Sequence, residues 1–268
     1  MTSSDAARGQ VAATAAEVYE EFFVPALFAQ WAEPMLDAAA VAVGDAVLDV
    51  GCGTGVLTRA ARRRVGPRGE VVGIDRNDAM LAVAARSPEP VTWQSGVAES
   101  LPFDDARFDR VLCQFALMFF DDRRRALREM ARVLRPGGTV AIATWSAIDE
   151  SPGYATMIDL LRRVVSDAAA DALRAPFCLG TVDAVAALLA DTFPDAVVTR
   201  HDGTAHFESI ADWVHTDIRG WTLADTIDDA TCQRLLADAL STHAQYTDAA
   251  GRVSFAVPAL IATAAKPS

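Results

Sequence analysis

Val47-Leu-Asp-Val-Gly-Cys-Gly-Thr-Gly55, followed downstream by Val71-Val-Gly-Ile-Asp75, decides the fold. An apolar run stops at a glycine-rich turn, passes into a helical pattern and gives a second apolar run that closes on a carboxylate. That is the order of a βαβ unit built around a nucleotide. Glycines at such a turn let backbone approach a ligand closely, and Asp75 stands where a carboxylate accepts hydrogen bonds from ribose hydroxyls. The spacing narrows the nucleotide. A dinucleotide fingerprint needs glycine or alanine at its sixth position, whereas Gly51-Cys-Gly53-Thr-Gly55-Val56 brings its third glycine one residue early. This reads against an NAD-linked oxidoreductase.

Outward from this unit, strands and helices alternate. Strands are expected at Ala46–Val50, Glu70–Ile74, Val91–Gln94, Phe108–Gln114 and Thr139–Trp145. Helices are expected at about Thr54–Arg64, Asn77–Arg86 and Arg123–Leu134, with Arg135-Pro-Gly-Gly138 as a turn. Such alternation means an α/β fold with a mostly parallel, doubly wound sheet. Ligands on these sheets sit beyond the carboxyl ends of the strands, at the switch point beside the first strand, where the glycine turn and Asp75 both fall.

Residues 1–40 read as a helical leader interrupted at Pro25 and rich in aromatics, with Tyr19, Phe28 and Trp31 among them. After Trp145 the alternation breaks. Residues 146–180 and 208–250 are two helical insertions, the first with a packing face of Met157, Leu160, Leu161, Val164 and Val165, the second carrying Trp213, His215, Trp221, Leu235 and His243. Between them come a helix at Val182–Thr192 and a strand near Ala196–Arg200, extended toward Phe207. Arg252–Ala265 supplies the last strand, with Pro258 at a bulge or edge position. The expected organisation is one domain over 1–268: the leader, a ligand-binding core at 40–145, and the two insertions as a lid on the side where substrate enters.

Composition limits the function classes. A length of 268 residues fits one domain with a modest extra element. No apolar run approaches the roughly 20 residues that span a bilayer, and Met1-Thr-Ser-Ser-Asp-Ala-Ala-Arg lacks the pattern of a secretion signal, so a cytoplasmic protein without membrane partners is expected. A formal charge of −12 opposes attraction to phosphate backbones, which argues against nucleic acid as a partner. The cysteines Cys52, Cys113, Cys178 and Cys232 are far apart, and the four histidines show no ligand spacing, so neither a disulfide framework nor a metal site is indicated. Lys266 is the only lysine. That excludes covalent lysine chemistry inside the core.

The wording "LDVGCGTG" resembles the first motif of the class I S-adenosylmethionine-dependent methyltransferases, in particular the small-molecule type similar to the ubiquinone/menaquinone methyltransferases. Three further segments extend the likeness: Gly96-Val-Ala-Glu-Ser-Leu-Pro-Phe103, Phe108-Asp-Arg-Val-Leu-Cys-Gln-Phe-Ala-Leu117 and Arg128-Glu-Met-Ala-Arg-Val-Leu-Arg-Pro-Gly-Gly138. The resemblance covers residues 40–145 strongly and resumes weakly at 180–207. It implies a seven-stranded, Rossmann-like methyltransferase sheet and S-adenosyl-L-methionine as cofactor, with S-adenosyl-L-homocysteine as product. It implies that Gly51, Cys52, Gly53 and Gly55 touch the methionine portion and that Asp75, with neighbours Arg76 and Met80, holds the ribose side. Val97, Ala98 and Glu99 would border the adenine, and Gln114 would face the cofactor. Val97 stands where relatives usually carry an aspartate, which removes one polar contact to the adenine amino group. Asp49, costly to bury unpaired, would bond the turn's amides or the cofactor's amino end. Phe28 and Trp31 of the leader would fold over the cofactor; the competing reading of the leader is a helix pair packed on the sheet edge.

Methyl transfer asks little of the protein beyond aligning a nucleophile with the carbon–sulfur bond and excluding water. No catalytic motif has to exist. A hydroxyl or phenol acceptor would profit from a general base, for which Tyr19, His201 and His206 are candidates by residue type, with His215 and His243 behind them; each histidine also fits a structural or surface role. The leading expectation is methylation of an O, N or C nucleophile on a small apolar or aromatic metabolite. A cofactor-bound cyclase-type enzyme or a sensor on the same fold is the alternative.

Overall fold

The computed structural model describes residues 13–220, 223 and 227–267. Residues 1–12 of the leader and Trp221 lie outside the described residues. Strands β1 (Ala46–Val50), β2 (Glu70–Asp75), β3 (Thr92–Ser95), β4 (Phe108–Gln114) and β5 (Leu134–Trp145) are mutually parallel; β6 (Val197–His201), β7 (Thr204–Phe207), β8 (Val253–Ala256) and β9 (Ala259–Ala265) follow. The main sheet has seven strands in the order β3-β2-β1-β4-β5-β9-β6, with β9 antiparallel to both neighbours. Strand order reverses between β1 and β4, which opens the crevice where such sheets bind ligands.

Local chemistry accounts for the elements. β1 and β4 are buried on both faces, as central parallel strands must be. Helix α1 (Ala13–Val18) opens the leader and α2 (Ala32–Ala38) closes it. Helices α3 (Val56–Val65), α4 (Asp78–Ala84) and α5 (Arg123–Val133) cross over the sheet. α5 buries Ala126, Leu127, Met130 and Val133 at helical spacing, and its first turn is capped by the Asp122 carboxylate, which accepts from the Arg125 N–H at 2.9 Å. Full burial of Leu127, Met130 and Val133 contributes about 1.5–3 kcal/mol each. In the insertions, α6 (Pro152–Val164), α7 (Asp167–Arg174), α9 (Ile210–Arg219) and α10 (Asp229–Thr242) pack on one another, and α8 (Val182–Leu189) returns to the edge of the sheet.

Three sequence expectations are corrected. The leader is not interrupted at Pro25: it runs from α1 through a π-helical stretch, Tyr19–Phe28, into α2. The wider π turn, in which the Ala29 N–H reaches back to the Val24 carbonyl, accommodates a proline that an α-helix would expel. The stretch Arg135–Gly138 is the irregular start of β5 rather than a separate turn, with a register shift between Phe108 and Arg110 on the partner strand. The last two strands are each split. The chain leaves the main sheet at Gly203 and at Pro258, and β7 and β8 pair in a small second sheet. Pro258 has no N–H to give to the ladder, Gly203 leaves room for the Trp31 indole against which a Cβ would clash, and a single bond from the Val257 N–H to the Gly203 carbonyl (2.9 Å) carries the ribbon across the bend.

Among the described residues no single helix is long and apolar enough to cross a membrane. One bent pair, Asp167–Phe177 with Val182–Leu189, meets those limits of length and composition, with Ala169, Ala170, Leu173, Val185 and Leu189 packed into the core.

Candidate functional site

A cleft of about 950 Å³, its open mouth included, lies at the switch point over the glycine turn. Its floor is the chain from Asp49 to Thr54. Gly51 and Gly53 take left-handed backbone conformations, with φ of +73° and +54°. A Cβ on Gly51 would strike the Ala116 methyl, whereas one on Gly53 would meet nothing within 4 Å, so Gly53 faces open space. Gly55 also has a positive φ, but it lies against the Trp93 indole and away from the cleft wall.

Asp75, at the end of β2, ties the turn to the next helix. Its carboxylate accepts from the Gly53 N–H and the Asn77 N–H, both at 2.8 Å. Burial raises its pKa, and these two amides work in the opposite direction. Asn77 in turn caps α4 by accepting from Ala79 and Met80. Asp49 is buried in β1 and accepts a 2.6 Å bond from the Thr58 hydroxyl through Oδ2, while Oδ1 has no partner. Burial pushes its pKa up to about 7, opposed by Thr58 and reinforced by the charge of Asp75.

Two more buried acceptors at the cleft are unsatisfied: Thr54 Oγ1 and Gln114 Oε1. Gln114 Nε2 donates to the Phe28 carbonyl at 3.3 Å and so fastens the leader over the end of β4. A second fastening is Arg59, which donates to the Thr54 carbonyl at 2.5 Å and to Glu20 at 2.7 Å. Together they set Tyr19 and Phe28, stacked 5.1 Å apart, on the cleft wall. Burial, with the charges of Asp75 and Glu20, drives the Tyr19 phenol far above its usual pKa, so it is a hydrogen-bond donor and not a base.

Of the residues expected from sequence, Tyr19, Phe28, Asp49, Gly51, Cys52, Gly53, Asp75, Arg76, Met80, Ala98, Glu99 and Gln114 all line the cleft. Glu99 has a structural task as well, accepting from the Asp121 and Asp122 amides at 2.9 and 3.3 Å. The structure does not bring the others there. Val97 points to solvent, Trp31 is buried edge-on to both Phe115 and Trp145, His201 bonds Thr199 on the edge strand β6, and His206 is exposed on β7. His215 packs edge-on to Phe22, and His243 is buried beside Trp213 with its pKa lowered to about 4 by burial. No histidine lines the cleft among the described residues. Sequence reasoning missed Phe115, Phe119 and Phe120, which close it from the loop after β4. The signal was present in the aromatic run Phe115-Ala-Leu-Met-Phe-Phe120.

Residues 48–142, from within β1 to within β5, match the family model described as a methyltransferase domain. This part of the chain is similar to methyltransferase domains. Over 122 residues the chain is 43% identical to the ubiquinone/menaquinone biosynthesis C-methyltransferase of Idiomarina loihiensis, an alignment that covers 43% of this chain and 49% of that protein. The chain thus spans about half the length of the curated relatives it matches. Solved structures extend the likeness in fold. YcgJ from Bacillus subtilis superposes with a TM-score of 0.59 at 22% identity, over 89% of this chain and 99% of that one. Phosphoethanolamine N-methyltransferase 2 of Haemonchus contortus, solved with phosphomonomethylethanolamine and S-adenosylhomocysteine, superposes with a TM-score of 0.63 at 20% identity, over 100% of this chain and 61% of that one. The leader and both helical insertions lie outside the family model's match.

Proposed function

We propose that the chain transfers a methyl group from S-adenosylmethionine to an O, N or C nucleophile of a small apolar or aromatic metabolite. The observation that carries this is the convergence of three buried, unpartnered acceptors, Asp49 Oδ1, Thr54 Oγ1 and Gln114 Oε1, on a cleft whose floor is the glycine turn and whose far side is Asp75. Each unsatisfied buried group costs about 1–3 kcal/mol, a cost that a polar, cationic ligand removes. The residues therefore fit the cofactor.

When bound, S-adenosylmethionine supplies a methyl group activated by its sulfonium, so that the bond to the nucleophile forms as the carbon–sulfur bond breaks and its electron pair passes to sulfur. The chain's own part is binding and alignment. Asp75, oriented by Gly53 and Asn77, would hold the ribose hydroxyls; Asp49 and Gln114 would take the amino-acid portion; Ala98 and Glu99 would border the adenine. Phe28, Phe115 and Phe119 exclude water from the space beside them. The Idiomarina relative, a C-methyltransferase of quinone biosynthesis, supports an aromatic acceptor.

Calorimetry with S-adenosylhomocysteine, followed by an assay with methyl-labelled S-adenosylmethionine against a panel of hydroxylated aromatics, tests the reading. Binding and labelled product are expected. Absence of binding overturns it, and binding without turnover on a broad panel points to the cyclase or sensor alternative.

A further inference from the structure

Beyond the ends of β4 and β5 lies a second chamber of about 450 Å³, its open mouth included. It shares Phe28, Phe115 and Phe119 with the first cleft, so the two spaces adjoin across these three aromatic rings. Its other walls come from the leader (Phe23, Leu27), from Trp145 and from the first insertion (Tyr154, Leu173, Phe177). Phe115 lies flat on Trp145, with ring centroids 3.7 Å apart and planes 10° off parallel. The lining is predominantly apolar with few polar groups, as in small-ligand sites.

The polar groups are what make it a site. Asp217 of α9 lines the chamber, is fully buried, and has no hydrogen-bond partner on either oxygen. The Tyr154 hydroxyl, on a side chain only 3% exposed, is also unpartnered. Trp213 Nε1 is close enough to Asp217 to oppose the effect of burial, yet it makes no hydrogen bond. Among the described residues no arginine, lysine or histidine pairs with the carboxyl. An unpaired acid in an aromatic chamber lowers stability relative to an apolar side chain of the same size. Such a group is retained where a ligand completes it.

Resting on the proposed methyl transfer for its word acceptor, we infer that this chamber is the acceptor site, and that it takes a planar aromatic molecule bearing one neutral oxygen, hydroxyl or carbonyl, bonded by Asp217 and Tyr154. The aromatic walls fix the ring plane, and the two polar groups fix its orientation. The shared rings place the opposite edge of the acceptor toward the cofactor cleft. A neutral oxygen suits the pair because both can donate to it and the Asp217 carboxyl can also accept from it. A carboxylate ligand would meet an acid with no cation nearby.

The probes are 1-naphthol, naphthalene and 1-naphthylmethylamine, titrated by ligand-observed NMR into the full chain saturated with S-adenosylhomocysteine, which blocks the first cleft. Wild type is expected to bind 1-naphthol at least tenfold more tightly than either of the others. In Asp217→Leu the preference over naphthalene falls to threefold or less, with the affinity for S-adenosylhomocysteine unchanged and the melting temperature raised. Tyr154→Phe reduces the preference at least threefold and serves alone if Asp217→Leu does not fold. The inference is overturned if wild type shows no preference for the hydroxyl, if the amine binds more tightly, or if the foldable variants keep the full preference. Loss of S-adenosylhomocysteine binding in wild type would instead overturn the donor reading; the same titrations on the protein alone would still decide the chamber.

Discussion

The Thr58 hydroxyl donates to Asp49 at 2.6 Å and leaves the other carboxylate oxygen of this buried strand residue with nothing to bond. Asp49 then titrates near 7 instead of 3.8. Between those values the folded chain keeps a proton that the unfolded chain has released, so this residue's contribution to stability is full below about pH 4 and is lost as pH rises through about 7. The loss is on the order of 4 kcal/mol. Melting of the ligand-free protein is expected to shift downward from pH 5 to pH 8, and Asp49→Asn should flatten that slope. Because a cationic ligand favours the ionised form, affinity for S-adenosylhomocysteine, through its ammonium, should rise up to about tenfold over the same range. A pH-independent affinity would show that Asp49 does not face the ligand's charge.

Gly51 and Gly53 look equivalent in the sequence and are expected to fail differently. Both have positive φ, but only at Gly51 would a Cβ collide with the body of the protein, at Ala116. Gly51→Ala should therefore destabilise the chain by about 2–4 kcal/mol, from overpacking added to left-handed strain. Gly53→Ala pays only the strain, about 1 kcal/mol, and places its methyl in the space proposed for the cofactor. Chemical denaturation and calorimetry together check this: the first variant loses stability, the second loses S-adenosylhomocysteine affinity at least tenfold while remaining folded.

Asp75 joins two amides 24 residues apart in the chain, those of Gly53 and Asn77, through one carboxylate. Asp75→Asn keeps an acceptor for one of them but loses the charge that ribose hydroxyls would bond. Charged acceptors contribute about 1.5–3 kcal/mol per hydrogen bond, so affinity for S-adenosylhomocysteine should fall about 10- to 100-fold, with adenosine weakened equally because it carries the same ribose. If adenosine binding is unchanged, Asp75 does not hold the sugar.

The parts legible in the sequence are those encoded locally. The alternation of strands and helices, the glycine turn and Asp75 follow from runs and spacings within some thirty residues, and β1 and β4 lie where the apolar pattern puts them. The leader was misread at Pro25 because a π turn is not a local preference; it is imposed by packing Phe23, Leu27 and Phe28 into the core. The split strands were missed because a continuous β pattern does not say which sheet each half will join. The second chamber was illegible because its walls come from residues 23 to 217, which only tertiary packing brings together. One signal was there to be read. Ile210, Trp213, Val214, Asp217 and Ile218 fall on one helical stripe, and a carboxylate on an apolar stripe is a buried polar group needing a reason.

Phe115, on the partition between the two spaces, has φ of +54° and yet carries one of the bulkiest side chains. A left-handed conformation costs a non-glycine residue roughly 1–2 kcal/mol, and here the stack on Trp145 and the contacts with Phe28 and Trp31 offset it. Removing the ring exposes the strain. Phe115→Ala forfeits the packing and keeps the backbone cost, whereas Phe115→Gly forfeits the same packing and is relieved of that cost. Glycine should therefore be the better replacement by about 1 kcal/mol, the reverse of the usual order. Denaturant unfolding of the two variants decides it: an alanine variant more stable than the glycine one would mean that the backbone there is not strained, and that Phe115 is held in place by packing alone.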